Sequence, residues 1–319
     1  MKSTETRRTA SMIRQSLPFS ANVTDELRRY DTHLRDLRGL AAATRQGRLR
    51  SIGQFLQEQF EGEAIEIGTL CPEDIRQFLA RRLETRHSAS YAAHLAASLR
   101  CYFRYRATRG DQVGPLVAAI LHPVHWKLAS LPRALQPDET DRLFDAASKA
   151  RLWPKRSYAI VRCALDLGLR CGEIAHLRID DIDWRNGTVT LKGTKSLRQD
   201  VLPLPQVTGQ ALADYLQHER PASNQASVFV RQIAAQKVPL SSAAVGKIIK
   251  RTCRRIGLPQ ASAHALRHTV ASRLVANGSS LKEVADLLRH RSLETTLIYA
   301  KLDTPKLAAV ALPWPGSQP

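Results

Sequence analysis

The sequence lacks the usual marks of a secreted, metal-binding or membrane-spanning protein. Its cysteines are odd in number and form no C-x-x-C pair: Cys71, Cys101, Cys163, Cys171 and Cys253. Such a pattern is typical of reduced, intracellular thiols and not of disulfides or a zinc site. No apolar run reaches the roughly 18 residues that a membrane span needs. Met1 to Pro18 is polar and basic, without the apolar segment of a signal peptide. We therefore expect an intracellular protein with no metal and no membrane partner.

Acidic residues are scarce relative to basic ones. The 319 residues include 48 Lys and Arg against 29 Asp and Glu, a net charge of +19. This surplus points to a polyanionic partner, most simply nucleic acid. Most of the basic residues are arginine, whose planar guanidinium suits bidentate contact to phosphates. Membrane surfaces and acidic proteins are the other partners that this charge permits.

The N-terminal part has helical periodicity from Asp25 to about Arg109. Within Thr44–Phe60 the apolar residues recur every three or four positions, as on one face of a helix. Pro72 followed by two acids predicts a helix start, and Ser88–Arg106 predicts another helix. These stripes predict a small helical bundle.

Four prolines interrupt the periodicity between Gly110 and Pro137. The second half of this stretch is interpreted as an interdomain linker. The predicted organisation is a flexible arm (1–22), a helical domain (23–127), a linker (128–137) and a C-terminal domain (138–319). The C-terminal domain resumes with helices that begin at Pro137 and at about Trp153.

One stretch of the C-terminal domain has strand character. Asn186-Gly187 is a turn signal, Thr188–Leu191 alternates as a strand does, and Val201–Leu204 can pair back with it. Ser227–Val230 is a plausible third strand. The predicted fold class is thus mainly α in two domains, with a small three-stranded antiparallel sheet in the second.

Residues able to act on a phosphodiester gather near the C-terminal end. His264 and Arg267 are three residues apart, so a helix presents both on one face. That helix ends at Asn277-Gly278, and Ser280 with Glu283 forms a capping box for the next. His290 and Tyr299 then lie at the edges of two short helices. An imidazole, a guanidinium and a tyrosine can bind a phosphodiester and attack it without a metal.

Together with Gly168-Leu169-Arg170 and Glu173 upstream, this set resembles the tyrosine recombinase (phage integrase) family over residues 136–302. The resemblance implies that Arg170 and Arg267 clamp the phosphate and that Glu173 orients Arg170. It also implies that Tyr299 is the nucleophile and forms a 3′-phosphotyrosyl bond.

The resemblance further implies that His264 assists proton transfer around the nucleophile and that His290 hydrogen-bonds the phosphate. A lysine at the tip of the hairpin would be the general acid. Lys195 is preferred and Lys192 is the alternative, because hairpin length differs among relatives.

The basic surface near these residues supplies three candidate DNA contacts: Lys192, Arg198 and Arg289. Arg289 stands where the family commonly has glycine before the histidine. The N-terminal bundle resembles the family's SAM-like core-binding domain in size, helicity and position. Two further predictions concern the chain's ends: the arm's Arg7 and Arg8 touch DNA phosphates, and the tail from Leu307 to Pro319 docks on its own domain or on a neighbouring protomer.

The predicted function is site-specific recombination of DNA for integration, excision or transposition of a mobile element. The expected partners are double-stranded recombination sites and three further copies of the chain, with related recombinases or accessory DNA-bending proteins as additional candidates. The resemblance implies no cofactor, and the expected location is the bacterial cytoplasm, at the nucleoid during action.

The sequence is also compatible with other functions. A helix-turn-helix regulator without catalysis would explain the charge and the segment Ser280–Leu302. A chromosome-dimer-resolving recombinase would share the chemistry, as would a type IB topoisomerase. A degenerate recombinase that assists active partners is a further alternative.

Overall fold

The computed structural model describes residues 19–84, 88–121, 133–192, 199–232, 238–289 and 296–302, with the side chains of 300–302 excepted. It divides the chain into two compact units, residues 1–127 and 128–319. The finer division into arm, core-binding domain, linker and catalytic domain stays a prediction.

The first unit is helical throughout its described part. Besides a short 3-10 helix at Ile67–Thr69, its helices are α1 (Ala21–Asp36), α2 (Ala42–Phe60), α3 (Pro72–Glu84), α4 (Ala89–Ala107) and α5 (Gly114–Ala118). The Ser20 side chain accepts a hydrogen bond from the Val23 N–H and so caps α1. This cap starts the helix at Ala21, four residues before the predicted start and inside the predicted arm.

Aromatic side chains form the centre of this unit's core. Phe55 of α2 lies edge-on to Phe78 of α3 and to Phe103 of α4, with ring centroids 5.1 and 5.9 Å apart. Tyr30 of α1 meets Tyr102 of α4 in the same way at 5.2 Å. Phe55 belongs to the predicted apolar stripe of Thr44–Phe60, whose residues Leu49, Ile52, Phe55, Leu56 and Phe60 are all buried, so this stripe faces the bundle interior as expected.

The second unit combines helices with one small sheet. Its helices are α6 (Pro137–Ser148), α7 (Pro154–Asp166), α8 (Cys171–His176), α9 (Gln206–His218), α10 (Ser242–Arg255), α11 (Ala263–Ala276) and α12 (Leu281–Leu287), with 3-10 helices at Ile179–Asp181 and Leu297–Leu302. Helix α7 is central, because it packs against α6, α9, α10 and α11. Its Ile160 and Val161 are fully buried.

The described strands form an antiparallel sheet in the order β1 (Ile182–Asp183), β2 (Thr188–Leu191) and β3 (Asp200–Pro203). Val189 in the middle strand is opposite both Ile182 and Leu202. The mainly helical, two-part fold with a three-stranded antiparallel sheet is therefore confirmed.

The identity of the third strand was predicted wrongly. Ser227–Val230 makes only isolated bridges, from Ser227 to Arg178 and from Val230 to Pro239. The third strand is the two-residue β1, which is too short to show an alternating hydrophobic pattern. The Asp183 carboxylate accepts hydrogen bonds from the backbone N–H groups of Arg185 and Asn186, and this turn folds β1 directly back onto β2.

A smaller apolar cluster lies beside the main core of the second unit. It joins α11, α12 and the last described segment, through residues that include Val270, Val284, Leu288 and Tyr299. Among the described helices, none is both long and apolar enough to span a bilayer.

Candidate active site

Arg170 and Glu173 are positioned by the start of α8. Glu173 Oε2 accepts a hydrogen bond from the Arg170 backbone N–H at 2.8 Å, which closes the first turn of the helix. Glu173 Oε1 accepts a second bond from Arg170 Nη1 at 2.7 Å. A carboxylate at a helix N-terminus is favoured by the helix dipole, so the same residue ends the loop and orients the guanidinium.

Arg267 lies in α11 and is buried. Its Nη1 donates to the carbonyl oxygen of Gly168, and its Nη2 donates to that of Leu288. These two contacts join α11 to the loop before α8 and to the end of α12. Three stretches that are far apart in the sequence thus meet around one guanidinium.

The close approach at this junction requires glycine at position 168. Gly168 has φ +60°, a left-handed conformation that other residues adopt at a cost. A Cβ atom there would lie 2.7 Å from Leu288 Cδ2. The Gly168-Leu169-Arg170 motif therefore has a packing reason as well as a chemical one.

Arg289 follows α12 and points inward. Its side chain is 1% exposed, and its Nη2 donates to Glu173 Oε2 at 2.8 Å. Its Nη1 donates to the Leu287 carbonyl oxygen at 2.7 Å. The sequence suggested Arg289 as a candidate DNA contact, whereas the structure holds its guanidinium on an internal carboxylate, away from solvent.

Tyr299 is also buried, with only 2% of its surface exposed. Its hydroxyl lies 2.6 Å from Nδ1 of His268 on α11. Sequence reasoning assigned no role to His268. A signal was present nonetheless, since His268 follows His264 by four residues and so lies on the same side of the helix.

His264 and Arg267 share a helix face as predicted but differ in depth. His264 is exposed, whereas Arg267 is buried one turn further along α11. The helix therefore places the imidazole at the rim of the site and the guanidinium at its floor.

Burial shifts the ionisation of the central groups. Burial raises the pKa of Tyr299 to about 12, and the Arg267 charge offsets part of this rise. Burial, reinforced by the charges of Arg170 and Arg289, lowers the pKa of Arg267 to about 9. Burial together with the charges of His264 and Arg267 also lowers the pKa of His268. At neutral pH the site thus holds a phenol, an arginine cation and a neutral imidazole.

Lys192 stands at the end of the middle strand, immediately after β2. Its Nζ lies 2.8 Å from Asp181 Oδ1, and about half of the side chain is exposed. The remaining predicted site residues, Lys195, Arg198 and His290, lie outside the described residues, as do the arm's Arg7 and Arg8 and the tail.

The described site has an excess of positive charge. It contains the three guanidinium groups of Arg170, Arg267 and Arg289 and one carboxylate, that of Glu173, so the net charge of these groups is 3 − 1 = +2. Glu173 pairs with Arg170 and Arg289, whereas Arg267 donates to carbonyl oxygens. Buried cations without matching anions favour an anionic ligand. Among the residues that the structure describes, no three His, Cys, Asp or Glu side chains are grouped so that they could hold a metal ion. An anion bound here would meet arginine donors beside a tyrosine hydroxyl.

Comparison with known proteins agrees with this chemistry. Residues 133–305 match the phage integrase family. The putative integrase/recombinase y4rA of Sinorhizobium fredii is 34% identical over 92% of this chain and 72% of its own length. Tyrosine recombinase XerC of Thermodesulfovibrio yellowstonii is 29% identical over 82% of this chain and 88% of its own.

Two solved structures share the fold. The Tn1549 transposon integrase in complex with transposon right end DNA has a TM-score of 0.65 at 19% identity, and covers 89% of this chain and 99% of its own. The lambda integrase tetramer bound to a Holliday junction has a TM-score of 0.63 at 20% identity, and covers 86% of this chain and 78% of its own. By its family match and its relatives, this chain belongs to the phage integrase family and is a tyrosine-type site-specific recombinase, an enzyme that breaks and rejoins DNA.

Proposed function

We propose that this recombinase integrates, excises or transposes a mobile element, with Tyr299 as the nucleophile that cleaves each strand. The observation that carries the proposal is the cationic cluster of Arg170, Arg267 and Arg289 beside the buried Tyr299 hydroxyl. The mobile-element role is supported by likeness to y4rA, named a putative integrase/recombinase, and to a transposon integrase.

In the proposed reaction, Tyr299 Oη attacks phosphorus, a 3′-phosphotyrosyl bond forms and the bond to the 5′-oxygen breaks. Arg170 and Arg267 stabilise the charge on the non-bridging oxygens. The energy of the broken bond is kept in the phosphotyrosyl link, so the reverse attack by a 5′-hydroxyl rejoins the strand without ATP. His290 is proposed to hydrogen-bond the phosphate.

The phenolic proton needs an acceptor, and His268 is placed to take it. The neutral imidazole lies 2.6 Å from the hydroxyl, which is hydrogen-bonding distance. His264 keeps the proposed role of assisting proton transfer from the rim of the site. The two histidines lie on one face of α11. His268 would act on the nucleophile, and His264 would act closer to solvent.

The leaving 5′-oxygen needs a proton, and two hairpin lysines can supply it. Lys195 is the first candidate. Lys192 gains support from its place at a strand end, where Asp181 holds its ammonium group. A 5′-phosphorothiolate substrate separates them, because sulfur leaves without protonation. Of Lys192→Ala and Lys195→Ala, the variant that loses cleavage of normal DNA and recovers it on this substrate lacks the general acid.

Double-stranded recombination sites and a homo-tetramer are the proposed partners. The lambda integrase structure described above is a tetramer on a Holliday junction, and four copies of this chain would bring two duplexes together in the same way. Strand exchange would then pass through a four-way junction.

Covalent trapping tests the nucleophile. Wild type and Tyr299→Phe are mixed, in the presence of a metal chelator, with nicked duplexes from DNA that flanks the gene, and are run on a denaturing gel. We expect a covalent adduct from wild type alone, with the modified peptide containing Tyr299. An adduct that persists in Tyr299→Phe would contradict the assignment.

A second candidate function, resolution of chromosome dimers, is favoured by the likeness to XerC. The two are distinguished by the position of the cleaved site. Under the mobile-element proposal the trapped duplex comes from the ends of the DNA segment that carries the gene, and wild type joins those ends into a circle in cells. A cleaved site far from the gene, with no circular product, would support the chromosomal role.

A further inference from the structure

The end of α12 is a meeting point for the three arginines of the site. Three successive carbonyl oxygens each accept a hydrogen bond from a different guanidinium. Leu287 O accepts from Arg289 Nη1, Leu288 O from Arg267 Nη2, and Arg289 O from Arg170 Nη2 at 3.0 Å. The position of this short segment therefore sets the position of both clamp arginines.

Arg289 occupies a backbone conformation that suits glycine better. Its φ is +54°, in the left-handed region, where a residue with a Cβ atom costs about 1 kcal/mol more than glycine. The backbone alone therefore gives no reason for an arginine here. The reason lies in the side chain, which is buried and held by two hydrogen bonds.

The Arg289 side chain completes the environment of Glu173. One carboxylate oxygen accepts from Arg170 Nη1, and the other accepts from both the Arg170 N–H and Arg289 Nη2. Arg170 in turn donates to the Arg289 carbonyl oxygen. Arg170, Glu173 and Arg289 thus form a closed ring of contacts between the start of α8 and the end of α12.

We propose that Arg289 is a positioning residue for the phosphate clamp: through Glu173 and its own carbonyl group it holds Arg170 in place, and it does not contact DNA. The inference rests on the proposed function, because it assumes that Arg170 binds the scissile phosphate. A glycine at position 289 would leave Glu173 without this second cation.

The ring also determines how the site responds to acid. Three charged groups face Glu173: Arg170 on its own segment, Arg289 from the end of α12, and Arg267 from α11. Burial tends to raise the pKa of Glu173, but the Arg289 charge and then Arg170 hold it below its usual value. Removing Arg289 raises that pKa. Glu173 is then protonated at a higher pH, and Arg170 loses its carboxylate partner there.

Three variants of one residue test the proposal on the duplex that forms the adduct. Arg289→Met removes the charge, Arg289→Gly also relieves the backbone, and Arg289→Lys keeps the charge without the two-point contact. The readouts are the rate of adduct formation at saturating DNA, the DNA dissociation constant, and the dependence of the rate on pH. Thermal unfolding shows that each variant is folded.

We expect Arg289→Met and Arg289→Gly to cleave about 10- to 100-fold more slowly, because misplacement of a catalytic group costs this much. Their DNA affinity should stay within about threefold of wild type, and the acid limb of the pH–rate profile should move to higher pH. Arg289→Lys should recover part of the rate and keep the wild-type acid limb. In a Glu173→Gln background, Arg289→Met should have little further effect, since both changes break the same ring.

A wild-type cleavage rate and an unchanged acid limb in Arg289→Gly would overturn the inference. The arginine would then only strain the backbone after α12 and contribute nothing to cleavage. A loss confined to DNA affinity would overturn it too, in favour of a DNA contact. Both results presuppose a wild-type adduct. If wild type forms none on any flanking duplex while binding it, the proposed function itself fails and this inference with it.

Discussion

Arginines with little exposed side-chain surface occur both in the N-terminal unit and in the candidate active site, but the two regions balance their charge differently. In the N-terminal unit, Arg106 donates to Glu26 at 3.0 Å and to Asp111 at 2.6 Å, and Arg45 donates to Asp31 at 2.8 Å. In the described part of the active site, Arg267 donates to two carbonyl oxygens, and the Glu173 carboxylate serves Arg170 and Arg289.

The difference separates a structural role from a binding role. A buried cation paired with carboxylates is satisfied within the folded chain. A buried cation whose neighbours are two other cations is not satisfied in this way. The lowered pKa of Arg267, caused by burial and by the charges of Arg170 and Arg289, agrees with this difference. A bound phosphodiester would supply the missing negative charge.

The largest contrast is expected between Arg267→Met and Arg106→Met. Arg267→Met should slow adduct formation by about 100- to 1,000-fold, as for loss of one donor to a transition-state oxyanion. Its effect on the unfolding free energy of the DNA-free protein should be small, because repulsion is relieved as hydrogen bonds are lost. Arg106→Met should do the reverse and cost about 3 kcal/mol of stability, because buried Glu26 loses its partner at 3.0 Å and keeps only the exposed Arg29 at 3.9 Å.

Denaturant unfolding and single-turnover cleavage at saturating DNA measure the two effects. Arg28→Ala serves as the control, since its exposed pair with Asp25 should contribute less than about 1 kcal/mol. Equal destabilisation by Arg267→Met and Arg106→Met would remove the distinction between the regions.

A somewhat smaller effect is expected for the histidine that touches the nucleophile. His268→Phe keeps the ring but removes Nδ1, so cleavage should fall about 100-fold, the lower end for loss of a general base. DNA affinity should hardly change. The matched variant His264→Ala, at the exposed rim, tests whether the two imidazoles share the task. Faster cleavage by His268→Phe would mean that His268 restrains Tyr299 instead of accepting its proton.

The smallest effect concerns the loop that supplies a carbonyl to Arg267. Gly168→Ala places a Cβ atom against Leu288 and keeps a left-handed φ, so it should cost about 1–3 kcal/mol of stability. Gly187→Ala is the control, because it has a similar φ of +61° with open space around it. It should cost only about 1 kcal/mol. If thermal or denaturant unfolding shows the same loss of stability for Gly168→Ala and Gly187→Ala, packing against Leu288 is unimportant.

The sequence predicted the helices well because their apolar stripes and caps are local. Ser280 and Glu283 form the predicted capping box, and α11 ends at Ala276, just before the predicted Asn277-Gly278 stop. The two-residue β1 was missed because its formation depends on the Asp183 turn and not on a hydrophobic pattern.

The site was predictable in its residue types but not in its connections. The pairing of Arg170 with Glu173 was implied by the family resemblance, and the structure places the two side chains 2.7 Å apart. Neither the inward turn of Arg289 nor the contact of His268 with Tyr299 follows from spacing, because both depend on how the end of α12 and the last segment fold back on α11. Tertiary packing decided these contacts.

The most direct test of the account compares wild type with Arg267→Met on two versions of the cleaved duplex, one with the normal scissile phosphodiester and one with a neutral methylphosphonate there. If the surplus charge serves the phosphate, the large deficit of Arg267→Met on the normal duplex should shrink to less than about tenfold on the neutral one, because less charge then needs compensation. The same deficit on both duplexes would contradict the claim that this buried arginine exists to balance the charge of the scissile phosphate.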